Sequence, residues 1–414
     1  MKDIIIVGGG IAGLTAAHYL QKAKKDFLLL EASDRIGGRV KTDEVNGFLL
    51  DRGFQVLLTA YPEAKDILDY ESLDLRSFLP GALILQENGK QSQLGDPLRW
   101  LGSTFSTLFN SVGNWGDKFK ILFLRSRLRR LSIDAIFEQK EITTLEALRM
   151  YGFSEDMIDT FFKPFLRGIF LEKDLSTSRR MFDFVFKLFS EDDIAIPAKG
   201  IAAIPAQIAN GLAQNSICLN QEVLEIEKGK VRLISGEILE AQQILIATNA
   251  PQAAELLKQT IRNTNYESTT NLYFTAKTAP FSKPILALNA VPNSMVNNCT
   301  VLSHLSDHFA PAGEHLISVS IVGKSELKQE VIVQKVKSEL QMHFGASVKE
   351  WEHLKTYHVS YALPAAQSIK NDLLPSEIKL AEGLYICGDH LMNGSLNAAM
   401  KSGRMAAELI LMAD

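Results

Sequence analysis

The sequence of 414 residues is poor in cysteine, has no long apolar run and carries little net charge. Its cysteines, Cys218, Cys299 and Cys387, have no paired spacing, so we expect buried thiols in a reducing compartment, with no disulfide framework and no metal site. No stretch approaches the roughly 18 apolar residues of a membrane-spanning helix. The net charge of −4 gives no reason to expect nucleic acid as a partner. These absences favour a cytoplasmic protein.

The composition, with 46% hydrophobic and 22% charged residues, is that of a globular enzyme. A chain of this length is too long for one simple core, which suggests two domains. The apolar run at residues 3–7 is short and leads into glycine, so it predicts a strand entering a tight turn and not a secretory signal.

This strand is followed by glycines with the spacing G-x-G-x-x-G. Gly8 permits the tight turn, Gly10 lets a pyrophosphate approach the backbone, and Gly13 lets a helix pack closely on the strand. The pattern is typical of a dinucleotide-binding unit. The competing interpretation is a glycine loop without a ligand.

The residues that follow complete this unit. Ile11 and Ala12 begin a predicted helix, whose free N–H groups would bind the pyrophosphate. A second apolar strand at residues 27–30 ends at Glu31, where an acid bonds ribose hydroxyls, and Ala32 lies in the same turn. Strand, glycines, helix, strand and acid together predict a bound dinucleotide.

A second glycine pair lies shortly after this acid. Gly37 and Gly38 would bring more backbone to the pyrophosphate, and Arg39 would supply a bidentate cation. For Arg35 and Arg39 the alternative is a solvent-exposed surface pair.

The run from Glu31 to Thr42, E-x-x-x-R-x-G-G-R-x-x-T, resembles the flavin amine oxidase superfamily. That group includes monoamine and polyamine oxidases, protoporphyrinogen oxidases and carotenoid desaturases, all of which bind FAD. The resemblance implies an α/β fold in which a Rossmann-type FAD-binding domain is interleaved with a mixed α+β substrate-binding domain. It predicts the FAD domain at 1–75, 196–262 and 360–414, and the substrate domain at 76–195 and 263–359.

The resemblance also assigns cofactor contacts outside the fingerprint. Gly53 and Phe54 would lie beside the isoalloxazine ring, and the backbone of Val223 would meet the adenine. For Val223 the alternative is an ordinary edge-strand valine.

The last of these contacts lie in the C-terminal segment ICGDHLMNGSLNAAMKSG. There Gly388 ends a buried strand, and Asp389 would bond the ribityl or pyrophosphate part of FAD. Ser395, Leu396 and Ala399 would begin a helix whose N–H groups face the flavin ring.

Two departures from the classical amine oxidases bear on the substrate. Thr269 or Thr270 stands where those enzymes carry a lysine, and Ser395 stands where they carry a tyrosine of an aromatic cage. The C-terminal segment is more similar to the carotenoid desaturases, although Asn397 and Ala398 replace a Glu-Gly pair. A second glycine fingerprint is absent, so we expect electrons to leave to oxygen or a quinone-like acceptor and not to come from a nicotinamide.

The middle of the chain is rich in phenylalanine: fourteen of 22 lie between Phe105 and Phe189. They predict either a helical core or a tunnel for a large apolar substrate. Six cations at residues 118–130 alternate with apolar residues, which is typical either of a helix on an anionic membrane surface or of a solvated face of an internal helix.

We therefore expect an FAD-dependent oxidoreductase that transfers a hydride from a C–H bond of a sizeable apolar, isoprenoid-like substrate to flavin N5. The alternatives are a protoporphyrinogen oxidase-like enzyme, an amine oxidase, or a flavin-binding protein with a structural or sensing role. No catalytic residue is assigned; the side chains considered for a basic role are Lys187, Lys199, Tyr357, His358 and His390.

Overall fold

The computed structural model describes residues 2–95, 112–259, 261, 265–365 and 369–413. Phe105 and Phe109 of the phenylalanine-rich region lie outside these residues. The strands are, in chain order, β1 (Lys2–Val7), β2 (Phe27–Leu30), β3 (Thr42–Val45), β4 (Phe48–Asp51), β5 (Leu57–Leu58), β6 (Leu75–Ser77), β7 (Gly81–Leu85), β8 (Gln91–Gly95), β9 (Ile194–Pro197), β10 (Ile217–Cys218), β11 (Val223–Glu227), β12 (Lys230–Leu233), β13 (Ile238–Ile246), β14 (Tyr266–Ala276), β15 (Leu286–Asn289), β16 (Asn298–Val301), β17 (His315–Val322), β18 (Glu352–Pro364), β19 (Lys379–Ala381) and β20 (Leu384–Ile386).

The α-helices of the described residues alternate along the chain with groups of strands. They are α1 (Ile11–Lys22), α2 (Pro62–Ile67), α3 (Trp115–Arg130), α4 (Ile133–Phe137), α5 (Thr144–Met150), α6 (Glu155–Met157), α7 (Lys163–Phe170), α8 (Arg179–Glu191), α9 (Ala203–Asn210), α10 (Ala250–Leu257), α11 (Gln329–Phe344), α12 (Pro375–Ile378) and α13 (Leu396–Met412). A π-helical turn at Ile158–Phe162 joins α6 to α7. Within the described ranges, no helix combines the length and the apolar character that crossing a membrane requires.

The first large sheet has eight strands, in the order β10-β2-β1-β13-β12-β11, with β20 on β13 and β19 on β20. Its central pairs are parallel, and their register aligns Val7 with Leu30 and Ile246, and Ile246 with Ile386. The carboxyl ends of β1, β2, β13 and β20 therefore meet at one edge, which is where ligands bind in sheets of this type.

The second large sheet has seven strands in the order β18-β14-β17-β16-β15-β7-β8. It is antiparallel apart from the β15–β7 pair. One of its faces packs on α11 through a core that includes Leu272, Phe274 and Ile332. The helices from α3 to α8 are rich in phenylalanine, and their buried side chains belong to the same core cluster as those of α1 and the first sheet. The chain thus contributes to each sheet from distant segments, while the domain limits given above remain predictions.

Helices α1 and α13 pack against each other although almost the whole chain separates them. A Cβ atom on Gly403 would overlap the carbonyl oxygen of Ala12, so α13 comes as close to α1 as a glycine allows. Ser402, one residue earlier, is fully buried and accepts a hydrogen bond from the N–H of Gly388. The small residues of the C-terminal segment therefore serve helix packing as well as any ligand. This contact holds the C-terminal segment against the first turn of α1.

Candidate functional site

The glycines of the N-terminal fingerprint have the geometry that the sequence predicts. Gly8 has φ +112°, and a Cβ atom on Gly13 would overlap the carbonyl oxygen of Gly8. Gly10 differs, since a Cβ there would find no atom closer than the Cα of Gly38, at 4.0 Å. The backbone of Gly10 therefore has open space in the direction of its missing Cβ, and the backbone of Gly38 borders that space.

The first N–H groups of α1 have neither a side-chain cap nor an acid in the first turn to accept their hydrogen bonds. Its N-cap residue is Gly10, which offers no side-chain cap, and its first turn contains no acid. The first N–H groups of any helix have no partner within the helix. Here those of Ile11 and Ala12 border the open space next to Gly10, so an anionic group placed there would satisfy them.

Glu31 closes the edge of this space. Its carboxylate accepts hydrogen bonds from the N–H of Gly9 at 2.8 Å and from the hydroxyl of Ser33 at 2.6 Å. Lys41 donates to the same hydroxyl at 2.8 Å. The acid is thus fixed at the end of β2, in the position where it can accept hydrogen bonds from a ribose. Val223 is close by, because Gln221 donates its N–H to the carbonyl of Glu31 at 2.9 Å.

Arg39 and Asp389 join the two ends of the chain. The guanidinium lies 2.5 Å from the carboxylate and also donates to the carbonyl of Ala362 at 3.1 Å. It lies 5.9 Å from the ring centre of Tyr266. Burial alone would lower the pKa of Arg39, but the charge and hydrogen bond of Asp389 raise it, so the arginine stays charged. A bidentate donor therefore lies between the glycine turns and the C-terminal segment.

The C-terminal segment turns sharply at Gly388, which has φ +153°. A Cβ atom there would lie 2.5 Å from the ring of His390, so only glycine fits. Burial lowers the pKa of His390 to about 4, and the ring is neutral at pH 7. Ser395 caps α13 by accepting from the N–H of Ala398 at 3.0 Å, which leaves the N–H groups of Leu396 and its neighbours at the helix start.

The buried carboxylate of Asp51 contacts the turn at Gly200, near the middle of the chain. Asp51 accepts from the hydroxyl of Thr42 at 2.6 Å and from the N–H of Ile201 at 3.0 Å. Gly200, at φ +86°, has no room for a Cβ, which would lie 2.6 Å from Thr42. Lys199, by contrast, is exposed. Asp51 therefore joins β3 and β4 to the segment that leads into α9.

Burial raises the pKa of Asp51 to about 6, above the value of about 3.9 for an aspartate in an unfolded chain. The folded state consequently binds an extra proton between about pH 4 and pH 6, so Asp51 makes the protein lose stability as pH rises through this window. We expect Asp51→Asn to remove about 2–3 kcal/mol of this loss. Denaturant unfolding of both proteins from pH 4.5 to 8 measures it. Parallel profiles for the two proteins would contradict the assignment.

Gly53 and Phe54 follow this carboxylate. Gly53 has φ +95°, and the nearest atom to a Cβ there would be a methyl of Val359, at 3.7 Å. The ring of Phe54 meets that of Phe78 edge to face, with 6.0 Å between centres. Phe78 in turn lines a cavity of about 240 Å³ that lies between the phenylalanine-rich helices and β7–β8.

The structure gathers most of the predicted contacts at one edge of the first sheet: Gly8, Gly10, Ile11, Ala12, Gly13, Glu31, Ala32, Gly38, Arg39, Val223, Gly388 and Asp389. Ser395, Leu396 and Ala399 lie at the start of α13, which the segment from Gly388 leads into. Their roles toward a cofactor remain predictions.

The side chains considered for a basic role have structural surroundings. Lys187 donates to the carbonyl of Arg129 and pairs with Glu191. The hydroxyl of Tyr357 donates to Asp43 at 2.7 Å, and His358 contacts the hydroxyl of Thr270 at 3.2 Å. These contacts give no ground for assigning a catalytic base.

Other residues that shape the site escape sequence reasoning. Thr42 ends the recognised motif, but its link to Asp51 depends on the pairing of β3 with β4. The carbonyl of Ala362 and the ring of Tyr266 reach Arg39 from β18 and β14. No local pattern marks such residues, because their role comes only from how distant segments pack.

The residues present fit FAD. Free helix N–H groups and Arg39 suit a pyrophosphate, Glu31 suits a ribose, and the open backbone at Gly10 allows a close approach. The start of α13 and the turn at Gly53 offer further backbone on the path expected for the flavin.

Comparison with protein families gives a match over most of the chain. The model for flavin containing amine oxidoreductases matches residues 11–411. This match confirms the resemblance seen in the sequence, FAD as the cofactor, and an FAD-dependent oxidoreductase as the enzyme class.

Individual relatives match over shorter stretches. Protoporphyrinogen oxidase 2 of Arabidopsis thaliana is 26% identical over 167 residues, which is 40% of this chain and 32% of that protein. Carotenoid 3,4-desaturase of Haloarcula japonica is 50% identical over 52 residues, 13% of this chain and 10% of that protein. The matches thus span less than a third of these curated relatives.

Solved structures are similar over the whole length. An oxidoreductase from Methanosarcina mazei has a TM-score of 0.77 at 17% identity, covering 99% of this chain and 100% of that one. A triple mutant of putrescine oxidase has a TM-score of 0.73 at 15% identity, covering 100% and 99%. At such identities the likeness concerns the fold, and it confirms the predicted α/β class with a Rossmann-type FAD domain and a substrate domain.

Proposed function

Because this chain belongs to the flavin-containing amine oxidoreductase family, we propose that it oxidises a C–H bond of a sizeable apolar, isoprenoid-like substrate. FAD, when bound, supplies the acceptor for the hydride. The residues of the chain hold the cofactor as described above, orient the substrate and exclude water from it. The observation that carries the proposal is the cavity lined by Phe78 and other phenylalanines.

The cavity has an almost wholly apolar wall. Phe161 and Phe165 line it from the turn before α7 and from α7, and Phe186 and Phe189 line it from α8. Ala82 of β7 is among the residues of the opposite wall. Phe54 contacts Phe78, which lines the cavity, so the cavity lies close to the turn at Gly53 where the flavin ring is expected. An apolar substrate would therefore replace water along most of its length.

Three residues expected near the flavin disfavour an amine as substrate. The hydroxyl of Thr269 donates to the carbonyl of Ile321 at 2.9 Å, and Thr270 is fully buried. Neither threonine can replace the lysine of the classical amine oxidases. Ser395 caps a helix at the position where those enzymes carry the tyrosine of their aromatic cage. A cationic amine would gain little from such surroundings, since the π faces that attract cations are missing at these positions.

A porphyrinogen is the second candidate, and one observation favours it. Among the described residues that line the cavity, the charged ones are Lys118 and Arg125, and both are cations. A large apolar ring that carries carboxylates would match an apolar wall with cations at its edge. For either substrate we propose oxygen or a quinone-like acceptor, since the sequence has one dinucleotide fingerprint. The cytoplasmic location stays a prediction.

Anaerobic reduction of the bound flavin tests the substrate class. We expect the visible absorbance of the FAD-loaded protein to bleach with an isoprenoid polyene or a porphyrinogen, and not with simple amines. Bleaching by amines alone would overturn the proposal. Protein that retains FAD but is bleached by none of these compounds would favour the structural or sensing role.

Phe165→Ala tests whether the cavity holds the substrate. Loss of the ring removes apolar contact, so we expect KM for the bleaching substrate to rise about tenfold with little change in FAD content. Phe281→Ala is the matched control, because Phe281 packs on Phe344, on the α11 side of the second sheet. An equal rise in KM for both variants would argue against a substrate in this cavity.

A further inference from the structure

Helix α3 presents large apolar side chains to solvent. Trp115 is 54% exposed, Phe119 67% and Phe123 72%, and Leu122 is also exposed. Their spacing of i, i+4, i+7 and i+8 puts them on one side of the helix, here called the apolar face. Isolated exposed apolar residues are common in proteins, but four on adjacent turns form a patch that marks an interaction site.

The apolar face is set among positive charges. The helix contains six cations, of which Arg127, Arg129 and Arg130 are exposed near its C-terminal end. Its one acid, Asp117, is buried and accepts hydrogen bonds from Ser154. The helix therefore offers solvent a positive surface, although the whole chain has a net charge of −4.

The apolar face also continues into the cavity. Trp115, Phe119 and Leu122 line the cavity and are exposed to solvent as well. Phe123 is exposed to solvent and is not among the residues that line the cavity. Trp115, Phe119 and Leu122 therefore connect the solvent-exposed side of α3 to the phenylalanine wall through apolar side chains.

We propose that α3 lies on the surface of a bilayer that contains anionic lipid, and that the cavity receives its apolar substrate from that bilayer. The second half of this statement rests on the proposed function; the first half does not. Aromatic side chains with cations beside them match the boundary between acyl chains and anionic headgroups. A second copy of the chain fits less well, because a two-fold contact would bring the exposed Arg127, Arg129 and Arg130 of one copy close to those of the other.

Sedimentation of the FAD-loaded protein with vesicles tests the docking. Binding is expected to vesicles that mix phosphatidylcholine with phosphatidylglycerol, to weaken in 0.5 M salt, and to be much weaker with phosphatidylcholine alone. Phe123→Ser should reduce binding on the order of tenfold, because it removes one inserted ring. Arg129→Gln with Arg130→Gln should reduce binding to the anionic vesicles and flatten the salt dependence.

Leu224→Ser is the matched control, since Leu224 is 55% exposed on β11 of the first sheet and should not affect binding. The docking proposal is overturned if the wild-type protein does not sediment with anionic vesicles. It is also overturned if light scattering shows self-association that Phe123→Ser abolishes, which would identify the apolar face as a contact between copies.

Turnover separates the two halves of the proposal. When the substrate is dispersed in detergent, the flavin of Phe123→Ser should be bleached as fast as that of the wild type. When the substrate is supplied in anionic vesicles, bleaching of the variant should be slower. Equal rates from vesicles would refute loading from the bilayer. Vesicle binding without bleaching by any apolar substrate would refute the proposed function and leave docking intact.

Discussion

Alanine in place of Gly403 should destabilise the protein and weaken its hold on FAD. The added Cβ would overlap the carbonyl oxygen of Ala12, a backbone atom that cannot rotate away. Helix α13 would have to move off α1, at a cost of about 1–3 kcal/mol or more. Because Ala12 lies in the first turn of α1, the shift would also disturb the N–H groups expected to meet the pyrophosphate. Thermal unfolding and the ratio of flavin to protein measure the two effects.

Gly211→Ala provides the control for this experiment. Gly211 follows α9, and a Cβ there would lie 3.4 Å from the nearest atom, at the limit of ordinary contact. Its substitution should leave the unfolding temperature and flavin content near those of the wild type. If Gly403→Ala behaved like Gly211→Ala, the close contact of α1 with α13 would not be what selects a glycine at this position.

The two glycines illustrate how far sequence reasoning reaches. The role of Gly13 is predictable because its partner, Gly8, lies in the same turn and the spacing between them is a known pattern. The partner of Gly403 is Ala12, at the other end of the chain. The sequence shows only that residues near Gly403 are small, and a flavin explains that as readily as a helix does. The structure adds the α1 contact as the specific reason at Gly403.

The same division holds for the charged groups of the site. Glu31 is predictable, because strand β2 ends where the fingerprint requires an acid. The pairing of Arg39 with Asp389 is not, since the local sequence around either residue gives no sign of the other. Asp51 is harder still: burial raises its pKa, while the hydrogen bonds from Thr42 and Ile201 lower it, and no local pattern reports either effect. Local geometry can be predicted from spacing, whereas contacts between distant segments need the fold.

Asp389→Ala should cause most of the bound FAD to be lost. Asp389 is buried and lies 2.5 Å from Arg39, at the junction of both halves of the site. Its removal takes away a charged hydrogen-bond partner, which is worth about 1.5–3 kcal/mol, or roughly 10- to 150-fold in affinity. It also leaves Arg39 without its carboxylate, so stability should fall as well. Flavin absorbance after purification and FAD titration of the stripped protein give the affinity. Glu382→Ala, which breaks an exposed pair with Lys379, should change neither quantity.

A double variant separates the two roles of Asp389. In Arg39→Met/Asp389→Ala no charge is left unpaired, so the stability lost in Asp389→Ala should be largely recovered. FAD affinity should stay low, because neither the guanidinium nor the carboxylate is available to the cofactor. Recovery of both properties together would mean that the pair serves folding alone and that FAD contacts neither residue. Full flavin content in the single variant Asp389→Ala would remove Asp389 from the cofactor site, and the C-terminal segment would then owe its small residues to packing on α1.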